Sequence, residues 1–139
     1  MQKNILFTLT AVLTFFPLSC QEDIDARLQR EADEYTQKHC PQFIEKGNVL
    51  DSVKYKKSVH TYSRYYTFSG YLDTTEAHQA ASSNINLLKS HLITQLRTET
   101  DWKTCQQHGI IFEYIYISAQ SHTPIFTIRI FPQDYGDGK

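Results

Sequence analysis

Residues 110–131 read IIFEYIYISAQSHTPIFTIRIF, and this stretch constrains the fold more than any other. Ile, Phe, Tyr and Thr dominate it, the residues that fit a pleated, half-buried surface. Strict alternation puts Phe112, Tyr114 and Tyr116 on one face of a first strand. It puts Phe126, Ile128 and Ile130 on one face of a second. Neither set contains a charge, so these faces are predicted to form a core, with the strands joined as a hairpin across Ala119–Thr123. The opposite faces carry Glu113 and Arg129, which can pair across the strands.

Outward from this hairpin, Ala81, Ile85, Leu88, Leu92 and Leu96 recur at helical spacing and predict a long helix ending near Thr98. Asp73 followed by Glu76 has the spacing of a capping box at its start. Val49–Lys57 and Val59–Tyr71, rich in Val, Tyr and Thr, predict another hairpin across Lys56-Lys57-Ser58. Gly47-Asn48 marks a turn before it. Ile24, Leu28, Ala32 and Tyr35 give a first helix over Asp23–Gln37, stopped near Cys40-Pro41 because proline disfavours helix in the preceding residue. The order αββαββ predicts an α+β fold: a four-stranded antiparallel sheet from two hairpins, with the helices packed on one face. A single curved sheet gripping the long helix is the other arrangement open. The Gly- and Asp-rich tail, from about residue 133, is expected to fray.

The chain starts with a different kind of signal. Lys3 precedes the apolar run Ile5–Leu18, which ends in Leu18-Ser19-Cys20, the pattern of a secretory signal. A bilayer span needs about 20 apolar residues; this run is shorter and is broken by Pro17. The expected organisation is a signal peptide over residues 1–19 and one domain over 20–139. The junction resembles a bacterial lipoprotein signal, in which the cysteine after the cleavage point carries lipid and becomes the N-terminus. Pro17 stands where the lipobox favours Leu. Glu22 and Asp23 behind Cys20 resemble the surface-export signal of Bacteroidota-type lipoproteins; they also suit the N-terminus of the following helix. The chain thus resembles small bacterial envelope lipoproteins. That implies a lipid anchor at Cys20 in the outer membrane, on the periplasmic or the surface side.

Three cysteines are present, Cys20, Cys40 and Cys105, and an odd number in an exported chain needs an explanation. With Cys20 lipidated, Cys40 and Cys105 remain as a pair. Three readings are open: a disulfide, free thiols, or a zinc site with His39 and His108. An oxidising compartment favours the disulfide, which over so long a loop would stabilise by about 4 kcal/mol. Adjacent ligands such as His39 and Cys40 bite awkwardly on one ion, so no metal is expected. The formal net charge of −1 and the lack of a basic block argue against nucleic acid as a partner. There is no HExxH helix, glycine-rich phosphate loop or GxSxG elbow, so no cofactor is expected and no motif points to catalysis.

Tyr62, Arg64 and Tyr66, alternating on the second predicted strand, are expected to join Glu113 and Arg129 on an open outer sheet face. Tyr and Arg are enriched at binding hot spots. The expected function is therefore a non-enzymatic, lipid-anchored envelope module that binds a protein or a glycan. The alternative is a secreted small-molecule-binding or hydrolase-like domain, which a cleft lined by His and carboxylates would favour. Metabolic labelling with a fatty-acid analogue tests the anchor: the wild-type chain should incorporate label and Cys20→Ala should not. Equal incorporation, or none in the wild type, removes the lipoprotein reading.

Overall fold

The computed structural model describes residues 22–137, so the signal segment and Cys20 lie outside the described residues. Helix α1 (Ile24–His39) comes first, then strands β1 (Gln42–Glu45), β2 (Asn48–Lys56) and β3 (Thr61–Phe68). Three helices follow, α2 (Thr75–Ser83), α3 (Ile85–Glu99) and α4 (Trp102–Gln107). Strands β4 (Ile111–Ser118) and β5 (Pro124–Ile130) and a short helix α5 (Pro132–Tyr135) complete the chain. The class is α+β with one sheet, as expected, but the sheet has five strands in the order β1-β2-β3-β4-β5.

Both predicted hairpins exist and are antiparallel inside themselves. Their junction is not: β3 and β4 run parallel, so the sheet is mixed rather than wholly antiparallel. The reason is the crossover. Parallel neighbours need a connection that returns the chain to the same end of the sheet, and α2, α3 and α4 supply it. The added strand β1 is four residues long and turns back onto β2 through Gly47, at φ +82°. A Cβ there would sit 2.7 Å from the carbonyl oxygen of Ser69, so side chains are excluded.

The predicted long helix is two helices. Asn84 leaves the helical region at φ −110°, ψ 17°, and its side-chain amide donates to the carbonyl of Ala80 at 2.8 Å. Such local side-chain bonding competes with helix propagation. The cap at the start of α2 also differs from the expected one. Thr74 accepts the Ala77 N–H, while Asp73 is buried and used elsewhere. The predicted stripe nevertheless lies inward, with Leu92 and Leu96 buried and Ile85 and Leu88 packed beside them.

All the helices that contribute to the core do so on one sheet face. Leu28 and Ala32 of α1, Leu92 and Leu96 of α3, Cys105 of α4 and Tyr135 of α5 meet Phe112, Tyr114, Tyr116, Ile128 and Ile130. Helix α1 also closes an edge. Beyond Leu50, β1 no longer covers β2; there the Thr36 hydroxyl donates to the Val53 carbonyl at 2.8 Å and accepts its N–H at 2.7 Å. Within the stretch expected to fray, Tyr135 and Gly136 are held in place. Arg97 donates to the carbonyls of Tyr135 and Gly136 at 2.7 and 2.6 Å, and the Tyr135 hydroxyl donates to that of Ile110 at 2.7 Å.

The expected Cys40–Cys105 disulfide is corrected: both are free thiols. Cys40 caps the C-terminal end of α1, whereas Cys105 lines a hollow with Arg27 and Leu28 near its start. A rise of 1.5 Å per residue puts about 18 Å of helix between Leu28 and Cys40. A disulfide requires Cα atoms within about 7 Å. Nor do His39 and His108 gather with them, since no group of three or more candidate metal ligands occurs among the described residues. Burial pushes the Cys105 thiol up to about 11 and raises that of Cys40. Native alkylation should therefore modify partly exposed Cys40 first and Cys105 only on unfolding. Protection of both thiols until a reductant is added would restore the disulfide.

Candidate functional site

Pairing register decides which side chains can form a site. In the parallel β3–β4 pair, Tyr62 lies beside Phe112, Arg64 beside Tyr114 and Tyr66 beside Tyr116. Paired residues share a face, and that face is the helix-covered one. Tyr62, Arg64 and Tyr66 are therefore not on the outer surface, which corrects the expected binding face. Glu113 and Arg129 are on the outer side: the Arg129 guanidinium meets Glu113 at 3.0 Å and the Ser63 hydroxyl donates to the same carboxylate at 3.1 Å. The five predicted site residues thus split, three inside and two outside.

The three inner residues are brought together. The helices leave an open groove between α1 and α3, above the inner face of β2 and β3. One part, a 490 Å³ hollow, is walled by Glu31 and Tyr35 of α1 and by Leu92, Gln95 and Glu99 of α3, with Asn48, Tyr62, Arg64 and Tyr66 among its lining. A second hollow of 270 Å³ continues along α1 toward Arg27 and Asp101, sharing Glu31, Tyr62, Arg64 and Glu99 with the first. No histidine lines either part.

Arg64 stands at the centre of this groove, its side chain only 22% exposed. Its guanidinium lies 5.9 Å from the centre of the Tyr114 ring. The one carboxylate that approaches it among the described residues is Glu99, at 3.9 Å, too long for a hydrogen bond. Burial raises the phenols of Tyr62 and Tyr66 and pushes Tyr114 up to about 12, so the rings around Arg64 stay neutral near pH 7. At one end, Asn48 is 7% exposed and its Oδ1 has no hydrogen-bond partner. At the other, the Nε of Arg27 is likewise buried and unpartnered. Buried polar groups are ordinarily satisfied; beside this groove one donor and one acceptor are not.

Asn48 reads in sequence only as half of a turn, and no pattern in the sequence singles out Glu31, Gln95 or Glu99. The available signal was a charge at Arg64 inside an aromatic alternation. It becomes readable only once β3 is placed beside β4.

A second polar cluster lies where α2 meets the β4–β5 loop, beside a 650 Å³ hollow lined by hydroxyls and His78. Asp73, its carboxylate 1% exposed, accepts from the Ser118 hydroxyl at 2.9 Å and the Gln120 N–H at 3.1 Å, and contacts His78 Nε2 at 3.0 Å. Ser118 and His78 both engage the carboxylate, and no hydrogen bond joins them. A nucleophilic relay needs the serine on the histidine, so this cluster reads as a staple between α2 and the loop.

Residues 23–126 match the family described as a domain of unknown function (DUF8479). The chain belongs to that family. This DUF8479 chain is similar in structure to the pilotin of the Vibrio vulnificus type 2 secretion system, at 9% identity and TM-score 0.59, over 82% of this chain and 93% of that one. It is also similar to a Pseudomonas aeruginosa protein described as secreted, at 14% identity and TM-score 0.57, over 76% and 90%. At these identities the likeness is one of fold. No curated protein matches the DUF8479 chain in sequence.

Asp73 gives the acid limb of stability a defined origin. Burial works to raise its pKa, but the bonds from Ser118, Gln120 and His78 outweigh it and hold the carboxyl below its ordinary value. The stability it contributes is complete above about pH 4, the ordinary Asp pKa, and is lost as pH falls through the lower folded value. Urea midpoints measured from about pH 6 to about pH 3 should fall less steeply for Asp73→Asn than for wild type. Parallel curves would remove Asp73 from the acid response.

Proposed function

We propose that this chain is a non-enzymatic, lipid-anchored module of the bacterial envelope, and that the groove between α1 and α3 holds a segment of a protein partner. The observation that carries the reading is the groove itself, with Arg64 on its floor and the unpartnered Oδ1 of Asn48 at its edge. Its mixture of exposed apolar Ile44 with polar Gln95 and Glu99 suits a peptide, which offers side chains and backbone groups together. A glycan is the poorer fit. Tyr66 and Tyr116 stack on each other, with centroids 4.9 Å apart, and are 7% and 5% exposed, so they present little ring surface to a sugar.

The cell-envelope location rests on the N-terminal pattern ending at Cys20. The two structural neighbours, a secretion-system pilotin and a protein described as secreted, are in keeping with it. The lipid at Cys20 would supply the membrane contact, since no helix of the described residues is long and apolar enough to cross a bilayer.

Site-specific photo-crosslinking in intact cells tests the groove. A photoreactive residue at Gln95, on the rim, should give defined protein adducts that excess purified protein competes away. The same residue at Thr127, on the outer face, should give none of these. Equal adduct patterns at both positions, or no protein adduct at Gln95, would overturn the proposal.

A further inference from the structure

We infer that the groove selects partner segments bearing an Asp or Glu side chain, which Arg64 receives while Asn48 takes a neighbouring N–H of the same segment. This rests on the groove reading and adds the chemistry of its occupant.

The argument starts from what Arg64 lacks. A guanidinium carries five N–H donors in a planar fork that matches a carboxylate with two parallel hydrogen bonds. A charge withdrawn from water to this degree is costly unless paired and hydrogen-bonded. Here the fork has Tyr114 beneath it, the neutral Tyr66 hydroxyl as a hydrogen-bond partner, and Glu99, the nearest counter-charge, no closer than 3.9 Å. Glu99 turns its Oε1 to the Gln95 side chain, which donates to it at 2.9 Å, and only its Oε2 faces Arg64.

Neither of the other carboxylates lining the groove pairs with Arg64. Asp101 caps α4, accepting the Thr104 N–H and hydroxyl at 3.3 and 2.6 Å. Glu31 stands 3.8 Å from the Arg27 Nε, too far for a hydrogen bond. The fork is left for an external carboxylate, and Glu99 then stands as a competitor beside the entering group.

Asn48 sets the second half of the recognition. Its Oδ1 is an acceptor only, buried and unpartnered, and Asn48 lines the hollow that Arg64 also lines. A peptide supplies both requirements, an acidic side chain and a backbone N–H. A free inorganic anion supplies only the first, and an amide side chain in place of the acid would leave Arg64 without a counter-charge.

Selection from a random-peptide display library on the purified domain tests this. Recovered peptides should share an Asp or Glu at one fixed position, and a synthetic peptide with that residue changed to Asn or Gln should bind roughly tenfold to a hundredfold more weakly. Arg64→Gln should abolish the preference at that position. Glu99→Gln, which leaves Arg64 in place and removes the competing charge, should bind the acidic peptide more tightly and its amide counterpart unchanged. That opposite response also separates recognition from a fold defect in Arg64→Gln.

Recovered peptides without a fixed acidic position, or an acidic preference that survives Arg64→Gln, would overturn the inference. So would equal effects of Glu99→Gln on both peptides. If such results accompany specific adducts at Gln95, the groove still binds protein and only the carboxylate requirement falls. If the Gln95 adducts are themselves missing, the groove reading falls with it.

Discussion

The parallel pairing of β3 with β4 is the constraint on which the rest of the molecule depends. It joins two locally encoded hairpins into one sheet and fixes which face of β3 turns toward the helices. A slip of one residue would exchange Tyr62, Arg64 and Tyr66 for Ser63, Tyr65 and Thr67, because side chains alternate with period two. The core would then lose Tyr66, and the guanidinium would move to the open side. The stacked sequence Tyr66, Tyr116, Phe126 across three strands depends on the same registration. The crossover through α2, α3 and α4 holds it in place, with Leu92 and Leu96 packed over the sheet.

What could be read without the structure was whatever local pattern dictates. Phe112, Tyr114 and Tyr116 declared an inner face through the absence of charge, and Glu113 and Arg129 declared an outer pair. The apolar stripes of α1 and α3 were legible for the same reason. The arrangement of the hairpins was not, since nothing in the residues of β3 says whether its free edge takes a neighbour parallel or antiparallel. That choice lies in the length and helical content of the crossover. The short elements escaped too. Strand β1 is four residues long, and α5 is a single turn held by Arg97 and Tyr135, whose contacts come from distant parts of the chain.

The groove residues were only partly legible, and the reason is physical. Tyr62, Arg64 and Tyr66 stand out by type, but a site is a convergence, and the walls come from α1 and α3. Glu31 and Glu99 resemble any solvated helix positions until the helices are set side by side. The cysteines show the reverse error. Composition favoured a bond between Cys40 and Cys105, and the length of α1 forbids it.

The contacts of α1 also have a mechanical meaning. Tension applied to the chain ahead of Glu22 enters the molecule at the start of α1, where Asp23 lies 3.9 Å from Lys57 and Asp25 accepts from the Tyr55 hydroxyl. Farther along, Thr36 is clasped to Val53 by two hydrogen bonds. These attachments hold both ends of the helix to one strand, so a pull along the helix axis is shared between them. The same geometry makes α1 a strut between the chain at Glu22 and the groove that opens beside it.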